Sequence, residues 1–131
     1  MKEINMCVRG IVKNIDSEPY RQGFWVTALE YNKHVKVIKG IDNSCKNGRA
    51  IVTGIIEGVK LLKEPCIINL YTHASFFDRT KEQRRNEDYT FRPVGTHKDL
   101  LLELEQLLKN NNHVLNINIG GKYQKELMKY L

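Results

Sequence analysis

The stretch NGRAIVTGIIEGVKLLKEPCIINLYTHAS, Asn47 to Ser75, changes its hydrophobic period partway through, and that change decides the fold. From Arg49, the residues Ile51, Val52, Ile55, Ile56, Val59 and Leu62 recur at helical spacing, and the pattern stops before Pro65. Apolar side chains occupy much of this helix's girth, so it is expected to be well buried. Gly54 and Gly58 each cost ~1 kcal/mol in a helix relative to alanine. Four residues apart, they share one side and would let another backbone approach closely. After Pro65, the segment Cys66-Ile67-Ile68-Asn69-Leu70-Tyr71-Thr72 is almost continuously apolar. That is the pattern of a central parallel strand covered on both faces.

Upstream, Ile4 to Val8 alternates as a strand, followed by Gly10 and a polar stretch from Lys13 to Gly23. Gly23 to Tyr31 is rich in aromatic and β-branched residues and predicts a second strand. Asn32-Lys33 fits a tight turn. His34 to Gly40 alternates like a strand with one wet face, completing an antiparallel meander. Asp42 to Gly48 is a polar loop.

Downstream, the segment from Asp78 to Asn86 is dense in charge, and Pro93 and Gly95 mark a loop. Thr96 or Asp99 could cap a helix from about Lys98 to Lys109, with Leu100, Leu101, Leu104, Leu107 and Leu108 as its buried stripe. His113 to Ile119 alternates as a last strand, and Gly120-Gly121 turns into a short helix from Lys122 to Tyr130. The order β-β-β-α-β-α-β-α predicts an α/β fold in which helices cover a mixed five-stranded sheet.

The 131 residues fit one domain, 1–131, with one core. No apolar run approaches the ~20 residues of a membrane span, and no apolar leader opens the chain, so no membrane role is expected. Three cysteines without a CxxC pair argue against a disulfide scaffold or a zinc knuckle and point to a reducing, cytoplasmic setting. Cys7 and Cys66, inside apolar runs, are expected to be buried. A net charge of +6 and a pI near 9.3 favour phosphate or acidic partners.

Three blocks carry a family resemblance: Asn47-Gly48-Arg49; Gly58 to Cys66 with its LK-P-C pattern; and Leu70-Tyr71-Thr72-His73-Ala74-Ser75, which is similar to a strand ending in a YTDS-type motif. Together they resemble the ribonuclease H family. Ile4 to Gly10 resembles the family's first strand, which ends in TDG, and Lys98 to Gly121 resembles its later helix and final strand. The resemblance implies a ribonuclease H-like fold. It also implies four carboxylates that hold two divalent metals ~4 Å apart. Carried over one at a time, the first acid falls on Arg9, the second on Ile51 and the third on His73, with Glu126 the nearest carboxylate to the fourth. Moving the first strand by two residues would substitute Cys7, again without a carboxylate. Hard cations need oxygen ligands, so no metal and no other cofactor is expected.

The resemblance implies that the loops around Asn47 to Arg49 and after Phe77 meet an RNA–DNA hybrid. Lys46, Arg49, Arg79, Lys81, Arg84, Arg85 and Arg92 would then form a phosphate-tracking surface. The competing reading is a solvated charged loop with internal ion pairs. Tyr20 and Phe91 are candidates for base stacking, whereas Trp25 and Tyr71 are more often core. His34, His73, His97 and His113 are scattered, and only His73 beside Arg9 would suit a metal-independent acid–base pair.

Three functions follow as expectations. The first is a catalytically silent module binding structured RNA or RNA–DNA hybrid. The second, by analogy alone, is a mobile-element protein that inhibits a host nucleoprotein, such as a CRISPR effector with its guide RNA. The third is a ribonuclease with new chemistry at His73.

Overall fold

Strands β1 (Lys2–Ile15) and β2 (Tyr20–Tyr31) form a long antiparallel hairpin. Both strands run further than their alternation predicts. Lys13 lies opposite Gln22 and Asn14 opposite Arg21, inside the stretch read from sequence as polar loop. The reason is that β1 is flanked on its other side only from Lys2 to Cys7. From Lys13 on, where β2 has no other neighbour either, the two strands pair with each other alone, and backbone bonding needs no apolar face. The computed structural model describes residues 1–15, 20–42, 47–72 and 97–119. The expected terminal helix from Lys122 to Tyr130 lies outside them.

A two-residue turn joins β2 to β3 (His34–Asp42). Asn32 and Lys33 both have positive φ, 48° and 67°, as a type I′ turn requires. Asparagine tolerates that region, but a lysine carries a Cβ penalty there of roughly 1–2 kcal/mol. Lys33→Gly is therefore expected to stabilise the protein by about 1 kcal/mol, raising its melting temperature by about 3–6 °C in a thermal melt. An unchanged or lower melting temperature would contradict this account of the turn.

Helix α1 (Asn47–Lys60) leads to β4 (Cys66–Thr72), and helix α2 (Lys98–Asn110) precedes β5 (Val114–Ile119). The strands lie in the order β3-β2-β1-β4-β5, with β4 parallel to both β1 and β5. This is the mixed five-stranded sheet expected from the sequence. The core lies between sheet and helices: Met6, Ile68 and Leu70 from the strands, Val52, Ile55 and Val59 from α1, and Leu101 and Leu104 from α2 are all buried.

The two glycines of α1 are where the sheet comes closest. A Cβ at Gly54 would lie 2.9 Å from Val8 Cγ1 and 3.0 Å from Thr27 Oγ1; one at Gly58 would lie 2.9 Å from Met6 Cε. The close approach lets the buried Thr27 hydroxyl donate a 2.8 Å hydrogen bond to the Gly54 carbonyl.

On the opposite face of the sheet, four polar side chains form a row across four strands. Asn116 Nδ2 donates to Asn69 Oδ1 at 3.2 Å, Asn69 Nδ2 to Asn5 Oδ1 at 3.3 Å, and Asn5 Nδ2 to Glu30 Oε1 at 3.4 Å. Each is in direct register with the next.

Cys7 and Cys66 are free and buried as expected, and burial pushes the Cys7 thiol up to about 11. The residue at the N-cap of α2 is His97 rather than Thr96 or Asp99. Asp99 sits inside the first turn, where a carboxylate suits the positive end of the helix dipole.

His113, just before β5, is buried, and its Nδ1 accepts a 3.0 Å bond from the Cys66 backbone N–H. Burial lowers its pKa from the ordinary histidine value near 6.5. The unfolded chain therefore takes up a proton at a pH where the folded chain still does not. Stability should be fully present above about pH 6.5 and decline as pH falls below it. His113→Ala is expected to remove that decline and, by stranding the Cys66 N–H, to cost roughly 1–3 kcal/mol at neutral pH. Urea unfolding at several pH values measures both effects.

Candidate nucleic-acid interface

The parallel register fixes the end of the sheet where the family's acids would lie. Cys7 pairs with Tyr71, so Arg9, two residues further along β1, stands beside the end of β4 at Thr72. Side chains alternate along a strand. Val8 meets α1 at Gly54, so exposed Arg9 points to the face away from α1. Arg9 opposes Val26, and Val26 opposes Lys39. Two strand spacings, roughly 10 Å, therefore separate two exposed cations on one face. Lys39 was not a sequence-derived candidate. Its signal was available only through the pairing of β2 with both neighbours.

Ile51, in the first turns of α1, is half-buried and packs against the apolar core. Thr72 ends β4 fully buried, and its hydroxyl finds no hydrogen-bond partner among the described residues. His73 lies outside the described residues, as do Lys46, Arg79, Lys81, Arg84, Arg85, Arg92, Phe91 and Glu126. The Tyr20 side chain likewise lies outside what is described.

Arg49 is the one member of the proposed basic surface that is described, and it is engaged. Its Nη1 and Nη2 donate to Asp99 Oδ1 and Oδ2 at 3.0 and 2.9 Å, a two-pronged bridge from the start of α1 to the start of α2. The bridge raises the Arg49 pKa, and the guanidinium holds the Asp99 carboxyl down at about 2. Because the Asp99 pKa is depressed, the contribution of the bridge is present above the ordinary carboxylate range and is lost as pH falls towards 2. Both groups face solvent, so that contribution is small. For recognition, the bridge means that a phosphate must share Arg49 with Asp99 or displace it.

Among the described residues, no group of three or more histidine, cysteine, aspartate or glutamate side chains is placed to hold a metal ion. The described histidines are dispersed: His34 opens β3, His97 precedes α2, and His113 bonds Cys66. No described helix is long and apolar enough to cross a membrane.

No family model matches the chain. It is 33% identical over 97 residues to ribonuclease H of Caldicellulosiruptor saccharolyticus, covering 69% of this chain and 67% of that one. It is 39% identical over 112 residues to ribonuclease H of Caldanaerobacter subterraneus subsp. tengcongensis, covering 79% of this chain and 72% of that one. Among solved structures, LC9-RNase H1, a type 1 enzyme with the type 2 active-site motif, superposes with a TM-score of 0.64 at 13% identity, covering 98% of this chain and 69% of that one. LC11-RNase H1 in complex with an RNA/DNA hybrid gives a TM-score of 0.58 at 10% identity, over 89% of this chain and 86% of that one. Likeness at such low identity concerns the fold alone.

Proposed function

This chain belongs to the ribonuclease H family, and on that premise we propose that it binds RNA–DNA hybrid or structured RNA without cutting it by the two-metal route. The observation that carries the proposal is the identity of the residues at the carried-over acid positions. Arg9 presents an exposed guanidinium where the resemblance implies the first acid. Ile51 contributes hydrocarbon, packed against the core, in place of the second. Neither offers an oxygen donor, and a fixed cation repels divalent ions. These residues do not fit a magnesium pair.

Two further observations support binding. The neighbour LC11-RNase H1 is in complex with an RNA/DNA hybrid. Arg9 and Lys39 also share one exposed face at the strand end, which suits a phosphate backbone. Lys46, Arg79, Lys81, Arg84, Arg85 and Arg92 remain proposed contacts, with Arg49 shared with Asp99. No specific observation favours the reading as an inhibitor of a nucleoprotein.

A gel-shift titration across salt concentration tests the proposal. Binding through several phosphates should weaken steeply, with a log–log slope of roughly −0.7 to −0.9 per phosphate contacted. Arg9→Glu should reduce both affinity and slope. Absence of binding to every nucleic acid, or affinity that does not change with salt, would overturn the proposal.

A further inference from the structure

At the pole opposite Arg9, the β2–β3 turn and the connection from α1 to β4 border a shallow groove of about 270 Å³. Ile4, Leu29, Leu61 and Leu62 line it with hydrocarbon, and His34 and Lys36 stand among its walls. Ile4 lies five residues before Arg9 on β1, roughly 17 Å away along the strand. The groove is therefore separate from the interface described above.

We propose that this groove docks a protein partner through an acidic peptide segment carrying one apolar anchor side chain. The volume falls just below the ~300–1,000 Å³ range of small-molecule pockets but suits a single leucine or phenylalanine side chain. The rim decides the charge of the occupant. Lys36 on the groove wall, Lys33 in the adjoining turn and Lys63 next to Leu62 are exposed and make no ion pair among the described residues. Of the acids at this end, Glu64 is paired by Lys2 and Glu57 by Lys60, Glu30 on the groove wall accepts from the Asn5 amide and keeps its charge, and exposed Glu3 lies on the face of β1 away from Ile4, so the rim keeps a cationic surplus. Lys2 also stacks over the Tyr31 ring, 4.8 Å from its centroid, which fixes that wall. Unpaired cations around an apolar floor match a partner with the inverse pattern: carboxylates at the rim and one buried hydrocarbon at the centre. A nucleic acid backbone would use the rim but gain nothing from the floor.

The test is fluorescence anisotropy of the full chain with a short labelled peptide of aspartate and glutamate around one phenylalanine. Saturable binding is expected. Replacing the phenylalanine by glycine should weaken it by at least ~10-fold. Lys36→Glu and Lys63→Glu should each weaken it several-fold, and the pair by at least ~10-fold. All three positions, Lys33 included, are exposed, so thermal melts should match the parent; Lys33→Glu supplies an independent charge reversal. Arg9→Glu should leave peptide affinity unchanged, and an RNA–DNA hybrid should not compete. No binding, equal binding of the glycine peptide, insensitivity to the lysine reversals, or competition by the hybrid would each overturn the proposal. The last two would reveal a generic polyanion surface or none. Loss of hybrid binding in the gel shift, with peptide binding intact, would remove the proposed function and leave this inference standing.

Discussion

Supplying carboxylates at three positions, as Arg9→Asp with Ile51→Glu and His73→Asp, is expected to lower the melting temperature without raising magnesium-dependent cleavage of an RNA–DNA hybrid above the parent's level. The parent holds a cation at the first position and a core-packed hydrocarbon at the second. The variant removes the repulsion and supplies oxygen donors, but position 9 faces away from α1 and position 51 lies on the α1 side of the sheet, so the two cannot share a metal pair ~4 Å apart. A rise of at least ~100-fold over the parent, a barrier lowered by about 2.7 kcal/mol, would show that the two positions converge after all. Ile51→Glu places a charge beside the core, so the variant should melt below the parent whether or not magnesium is added. Calorimetric metal titration, hybrid cleavage and melting with and without magnesium form one set of measurements. Magnesium-dependent, chelator-sensitive cleavage by the parent itself would mean that other acids serve the site, and the proposed silence would be wrong.

The second large effect concerns stability. Gly54→Ala should destabilise the fold by about 2 kcal/mol, and Gly54→Ala with Gly58→Ala by about 3 kcal/mol, in urea unfolding. Helix propensity alone predicts the opposite sign, a gain of ~1 kcal/mol per replacement. Packing outweighs it. A methyl at Gly54 meets Val8, Thr27 and Trp25 at 2.9–3.3 Å, and all three side chains are buried where retreat means displacing a strand. Moving α1 outward would also stretch the 2.8 Å bond from Thr27 to the Gly54 carbonyl, worth about 1 kcal/mol. At Gly58 the nearest atom is the flexible end of Met6, which yields more readily, so that single replacement should be the milder. Stabilisation by Gly54→Ala would show that the helix has room to shift.

These two cases also show what the sequence disclosed. The spacing of Gly54 and Gly58 was legible because a helix brings positions four apart onto one side, whatever the rest of the chain does. The bounds of β4 were legible because Pro65 ends one pattern and an almost continuously apolar run follows, broken inside only at Asn69, whose face is half-buried rather than covered as expected. The extension of the β1–β2 hairpin through Lys13 and Asn14 was not legible, since two strands bonded only to each other need no alternation. Arg49 was read as a phosphate ligand, but nothing local to it reveals Asp99, fifty residues away in the chain. Lys39 was missed because only the shared pairing of β2 places it with Arg9. The ribonuclease H resemblance carried the fold, because its three blocks span the buried helix and the central strand; His73 lies outside the described residues.

The amide row from Asn116 through Asn69 and Asn5 to Glu30 joins segments 47, 64 and 25 residues apart in the chain. The Asn5–Glu30 link can form with the β1–β2 hairpin, but the other two wait for the crossovers that bring β4 to β1 and β5 to β4, and sliding any strand by a single residue turns its amide to the wrong side. The row thus works as an alignment key: it rewards the correct register late, after collapse has brought the strands together, and penalises near-miss assemblies that hydrocarbon alone would tolerate.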